Sequence, residues 1–139
     1  MATNPLKNKY KNQIQTLIKV NNTHIQKQEN EILKLMGKKN KLLKDLEEKE
    51  QALNKIESER NHFKLTYFKA LKVFNNEQVN FFRNHLSQFE AKIADALLQK
   101  NKVQKEIELV QASLLKHRTA LKKYSFKNEK YDYLKLSYG

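Results

Sequence analysis

Hydrophobic positions in the first half of the chain recur every seven residues. With a at Ile18, Ile25, Ile32, Lys39, Leu46, Leu53, Arg60, Tyr67 and Phe74, and d at Ile14, Asn21, Gln28, Leu35, Leu42, Lys49, Ile56, Phe63 and Ala70, most of this stripe is apolar. A second series places a at Leu86, Ile93, Lys100, Ile107, Leu114, Leu121 and Asn128, and d at Phe82, Phe89, Ala96, Val103, Val110, His117, Tyr124 and Tyr131. A sustained a/d stripe is the signature of coiled-coil helices. The two series are out of phase. Phe74 and Leu86 are twelve residues apart, which is neither whole heptads nor the four- or three-residue insertion that a continuous coiled coil absorbs. The pattern predicts an all-α protein: two long helices forming an antiparallel coiled-coil hairpin, with arm one at about residues 5–75, the turn at about 75–80 and arm two at about 81–134.

Antiparallel helices pack a against d, so the numbers of paired residues add to a constant. A total near 156 centres the turn near Gln78 and clusters the polar seam residues: Lys39 faces His117, Gln28 faces Asn128 and Asn21 faces Lys135, while Phe63 meets Ile93 and Leu42 meets Leu114. Buried polar positions fix register, so this clustering favours that alignment. Asn4-Pro5 reads as a helix start, Asn as cap and Pro at the first helical position. Asn75, Asn76 and Asn80 are placed to end one helix or cap the next. Some 70 residues of helix at about 1.5 Å each reach on the order of 100 Å. Gly37 is the one helix-weak residue inside arm one, a place for a gentle bend or a close contact. Asp45 and Lys49 are spaced for a surface ion pair. The tail from Tyr124 to Leu134 is expected to fray beyond the last paired layer.

Composition narrows the function. At 139 residues the chain is one unit by length, without an apolar membrane span or a signal-peptide layout, which predicts a cytoplasmic protein that is not embedded in a membrane. There is no Cys, so disulfides, thiolate chemistry and cysteine-bound metals are excluded. A two-helix hairpin has no enclosed core and no pocket for paired carboxylates, and the sequence has no Gly-rich phosphate loop. The reading is therefore of a non-enzyme without cofactor, expected to be monomeric. His24, His62, His85 and His117 lack i, i+4 spacing and read as surface or seam residues rather than metal ligands.

Charge and aromatic residues are unevenly placed. Residues 1–44 hold ten Lys against Glu29 and Glu31, residues 45–90 hold seven basic against eight acidic, and residues 91–139 hold eleven basic against five acidic. In a hairpin the first and last segments lie together, so the open end is cationic and the closed end nearly neutral. Six of the seven Phe belong to the closed end, whereas Tyr10, Tyr124, Tyr131, Tyr133 and Tyr138 belong to the open one. Phe63, Phe74, Phe82 and Phe89 are explained by the seam. Leu65, Phe68, Leu71 and Phe81 fall off it, with His85 beside them, and form a candidate partner site. The plainer alternative is that turn packing hides them. Lys7, Lys9, Lys11, Lys122 and Lys123 form the second candidate, a cationic contact for an acidic protein. Lys and Tyr also suit nucleic acid. Arg is scarce, however, with only Arg60, Arg83 and Arg118, and no specific nucleic acid is expected.

A short, basic, cysteine-free antiparallel coiled coil with paired heptad arms from Ile14 to Tyr131, a turn near Asn75-Asn76 and Phe81-Phe82-Arg83-Asn84-His85-Leu86 after it resembles the YscO/FliJ family. These are the central stalk proteins of type III secretion and flagellar export. The resemblance covers the whole chain and rests on layout. It implies a protein similar to the coiled coil of a rotary-ATPase γ subunit, peripheral to a membrane secretion machine. Its open end would sit in a hexameric export ATPase and promote ring assembly or activity. Its closed end would reach the export gate protein, and cycling of secretion chaperones is a further implied role. The competing classes are a structural or scaffolding coiled coil and, third, a basic nucleic-acid-binding rod.

Overall fold

The computed structural model describes residues 5–70 and 75–138, with side chains for residues 7–69 and 75–137. Two helices account for the described chain, α1 (Pro5–Ala70) and α2 (Asn76–Tyr138), and they pack antiparallel as a helical hairpin. Asn4, Leu71, Phe74 and the side chains of Ala70 and Tyr138 lie outside the described residues, so the expected Asn4 cap and the Leu71 site position do as well. Pro5 is the first helical residue, where its missing N–H costs nothing.

The heptad assignment holds along both helices. Every described a and d residue named above is buried or half-buried. Among the described residues the most deeply buried are Ile14, Leu53, Val103, Ile107, Val110 and Leu114, with Asn21 the one buried polar residue. No described side chain is completely enclosed, as expected when each helix buries only a stripe. The seam lysines keep their ammonium groups near water. Lys100 reaches Glu50 at 3.8 Å, and Lys49 pairs with Asp45 at 3.8 Å as its spacing predicts.

Register and turn differ from the sequence reading. Asn21 meets Asn128, numbers that add to 149, and Tyr67 stacks on Phe82, which give the same total. The alignment is therefore one heptad away from the expected 156. In it Leu42 is level with Ile107, and Phe63 packs on Phe82, His85 and Phe89 with centroids 5.7, 5.4 and 5.6 Å away rather than on Ile93. Gln28 bonds His117, not Asn128.

The turn at 75–80 and the start of arm two at 81 are corrected by the same shift, because α2 begins at Asn76. Its start is a capping box. The Gln78 amide donates to Asn75 Oδ1 at 2.8 Å, the Asn75 amide donates to Gln78 Oε1 at 3.2 Å, and the Val79 amide donates to the Asn75 carbonyl at 3.0 Å. Val79, seven residues before Leu86, carries the seam into this first stretch and is half-buried. Asn75→Ala should destabilise the protein by about 1 kcal/mol, read by chemical denaturation, whereas Asn76→Ala should be near neutral. Equal effects would show that Asn75 is not the cap.

At the other end α2 stays helical to Tyr138 instead of ending near Leu134, because Tyr131 and Lys135 continue its half-buried stripe. Gly37 lies within continuous helix, and a Cβ there would meet nothing within 4 Å, so no close contact requires glycine.

Packing divides the chain into two compact units. One comprises residues 1–39 and 109–139 and the other residues 40–108. The first holds fifteen basic residues against four acidic, the second thirteen against eleven.

Candidate partner-binding surfaces

In the unit of residues 40–108 the register brings rings from both helices together. Tyr67 stacks on Phe82 at 4.8 Å and lies 6.2 Å from Phe81, and its hydroxyl donates to the Gln78 carbonyl. Phe68 packs on Phe82 at 5.1 Å, and His85 lies 4.0 Å from Phe81 and 5.4 Å from Phe63. The His85 ring Nδ1 sits 3.1 Å from the Phe81 carbonyl. Below this cluster Arg60 enters the seam and donates from Nη1 to Glu90 Oε1 at 3.3 Å, while its Nε is buried without a hydrogen-bond partner.

Of the residues picked from sequence, Phe68, Phe81 and His85 therefore join one aromatic cluster around the Tyr67–Phe82 stack. Packing leaves Phe68 55% and Phe81 50% exposed and half-buries His85. Leu65 lies one helical turn before Phe68 on the same face of α1 and is 61% exposed. Exposed apolar side chains of this size are the kind that protein contacts cover.

The other unit carries the five lysines. Lys7, Lys9, Lys122 and Lys123 are exposed and Lys11 is half-buried. They form two groups rather than one. In the observed register Lys122 is level with Lys27, sixteen residues past Lys11, or roughly 24 Å along the helix. Between the helices Asn21 donates from Nδ2 to the Tyr124 carbonyl at 2.6 Å and to Asn128 Oδ1 at 2.7 Å, and Asn128 donates to Asn22 Oδ1 at 2.5 Å. His24 stacks on Tyr124 at 5.0 Å. These contacts satisfy a polar layer and leave the lysines to solvent.

Sequence reading missed a third surface by assigning Phe126 and Tyr133 to a fraying tail. Both lie on the side of α2 facing away from the seam, 58% and 72% exposed. Their seven-residue spacing, two positions beyond Tyr124 and Tyr131 of the seam, was the available signal.

Among the described residues no group of three or more His, Asp or Glu is placed to hold a metal, and no helix is long and apolar enough to cross a membrane. The chain matches no protein-family model, no curated protein and no solved structure.

Proposed function

We propose that this chain is the central stalk of a type III secretion export apparatus, linking the hexameric export ATPase to the export gate and promoting ATPase assembly or activity. The observation that carries the reading is the separation of chemistry between two units of one coiled coil. One holds fifteen basic residues against four acidic, and the other is nearly balanced and presents Leu65, Phe68 and Phe81 to solvent. A cationic helix pair is held by an acidic ring lumen through long-range, salt-screened attraction. An exposed aromatic cluster instead gains affinity by burial in an apolar cleft of the gate protein. The stalk itself has no chemistry to perform, and the catalytic residues belong to the ATPase.

The test uses the export ATPase and gate protein of the same cell. Reversing Lys7, Lys9, Lys11, Lys122 and Lys123 to Glu should abolish stimulation of ATP hydrolysis and leave helicity intact. Phe68→Ala with Phe81→Ala should do the opposite, keeping stimulation and weakening gate binding by about a hundredfold, since burying each ring contributes roughly 1.5–3 kcal/mol. Undiminished stimulation by the charge-reversed chain would sink the reading and favour a scaffolding coiled coil.

A further inference from the structure

On the side of α2 away from α1, in the cationic unit, the last turns carry a shallow groove lined by Phe126, Glu129, Lys130, Tyr133 and Leu134. Phe126 and Tyr133 line it seven residues apart, roughly 10 Å along the helix. Lys130 stands between them with Nζ 4.8 Å over the Phe126 ring. Lys122 and Lys123, both exposed, lie one turn before Phe126. The seam cannot explain this face, because Tyr124, Asn128 and Tyr131 on the opposite side make the contacts with α1 or carry the half-buried stripe.

We infer that this groove is a docking site for an acidic amphipathic helix of a partner protein, whose apolar stripe covers Phe126 and Tyr133 and whose carboxylates meet Lys122, Lys123 and Lys130. Charge selects this occupant. A second copy of the chain would bring fifteen basic residues against fifteen in the same unit, and like-charge juxtaposition opposes the contact. Nucleic acid is disfavoured because the unit has one Arg, Arg118, while the Lys130 ammonium at the Phe126 ring is exposed and open to a carboxylate. A carboxylate partner pairs with that ammonium where it stands. An anionic lipid surface needs a longer and wider apolar sector than Phe126, Tyr133 and Leu134 provide. A helix laid along the groove satisfies both components, with aromatic anchors at the centre and charges at the rim.

The inference rests on the reading of this unit as the end held by an acidic partner, and its test contains no ATPase, so the two fail separately. A labelled helical peptide with a leucine stripe flanked by glutamates is titrated by anisotropy into the full chain. Saturable binding is expected, weakened at least about tenfold by Phe126→Ser with Tyr133→Ser and by Lys130→Glu. Leu33→Ser, an equally exposed apolar change on α1 of the same unit, should leave it unchanged. A peptide with serines in place of the leucines should bind at least about tenfold more weakly. Circular dichroism of each variant confirms the helices. No saturable binding, equal affinity in the Phe126/Tyr133 variant, or equal affinity for the serine peptide overturns the site. A single-stranded RNA or a phosphatidylserine vesicle that binds more tightly than the peptide and is lost in the same variant also overturns it. A failed titration alongside intact, lysine-dependent ATPase stimulation would remove this groove and leave the stalk reading standing.

Discussion

Cysteines at 35 and 114 should oxidise to a disulfide within one chain almost completely, and cysteines at 35 and 121 should not. Leu35 and Leu114 add to 149, the total of the Asn21–Asn128 and Tyr67–Phe82 contacts, so they are level across the seam. Leu121 is seven residues farther along α2, roughly 10 Å away. A disulfide tolerates Cα separations of about 4.4–6.8 Å, so the change is close to all or none. Both pairs lie in the same compact unit and share the change at Leu35, and because Leu114 is more deeply buried than Leu121 the stability difference works against the expected result, so closure of 35 with 114 is the stricter outcome. Cysteines at 42 and 107 make the equivalent measurement in the other unit. Non-reducing electrophoresis reads all three. Efficient closure of 35 with 121 would restore the alignment totalling 156, and formation of dimers alone would remove the intramolecular hairpin.

Leu114→Ala should lower the melting temperature by about ten degrees, while Leu115→Ala should leave it almost unmoved. Leu114 is 2% exposed, the most buried apolar residue described, and its neighbour is 68% exposed. Truncating a buried Leu costs about 2–5 kcal/mol, from lost transfer energy and from the cavity that remains. Surface truncations usually stay within about 0.5 kcal/mol. For a chain of this size each kcal/mol corresponds to roughly 3–4 °C. The pair is a stringent check because composition and helix propensity are the same in both variants, and only the face of α2 differs. Similar losses would mean that the outer face of α2 is also covered in solution, by self-association or by an unforeseen packing of the chain.

The heptads were legible because period carries that information locally: Ile14, Leu53, Val103 and Leu114 could be placed on the buried stripe without knowing their partners. Register was not, for a reason visible in the polar residues used to choose it. The alignment of Lys39 with His117 and of Gln28 with Asn128 assumed that polar side chains must face one another directly. Gln28 instead reaches diagonally to His117 at 2.5 Å, and seam lysines such as Lys100 lift their charge to Glu50 at the edge. Long side chains thus meet their hydrogen-bonding needs in more than one alignment, whereas the short Asn21 has to be matched by Asn128. The turn was misplaced for a related reason. The asparagines near it were rightly read as helix punctuation, but only the reciprocal bonds of Asn75 and Gln78 tell which one is the cap. At the partner surfaces, the exposure of Phe68 and Phe81 followed from their off-seam positions. Phe126 and Tyr133 had the same positional signal and were passed over because a helix end was expected there.

The contacts across the seam differ widely in the length of chain they enclose, which orders the assembly of the protein in time. Tyr67 and Gln78 are 11 residues apart, Arg60 and Glu90 are 30, Gln28 and His117 are 89, and Asn21 and Asn128 are 107. Closing the last of these directly costs about 2 kcal/mol more chain entropy than closing the first, so nucleation belongs at the aromatic cluster and later layers are added by zipping. On the ribosome α1 emerges first and carries its apolar stripe without a partner until the Asn75 cap and the first turns of α2 follow it out. Asn21 and Asn128, whose contact encloses the longest stretch of chain, then close last. A chain zipped one heptad out of step arrives with Asn21 opposite Lys135 or Leu121 and forfeits that hydrogen bond, so the buried asparagine layer proofreads at the termini a choice made at the hairpin.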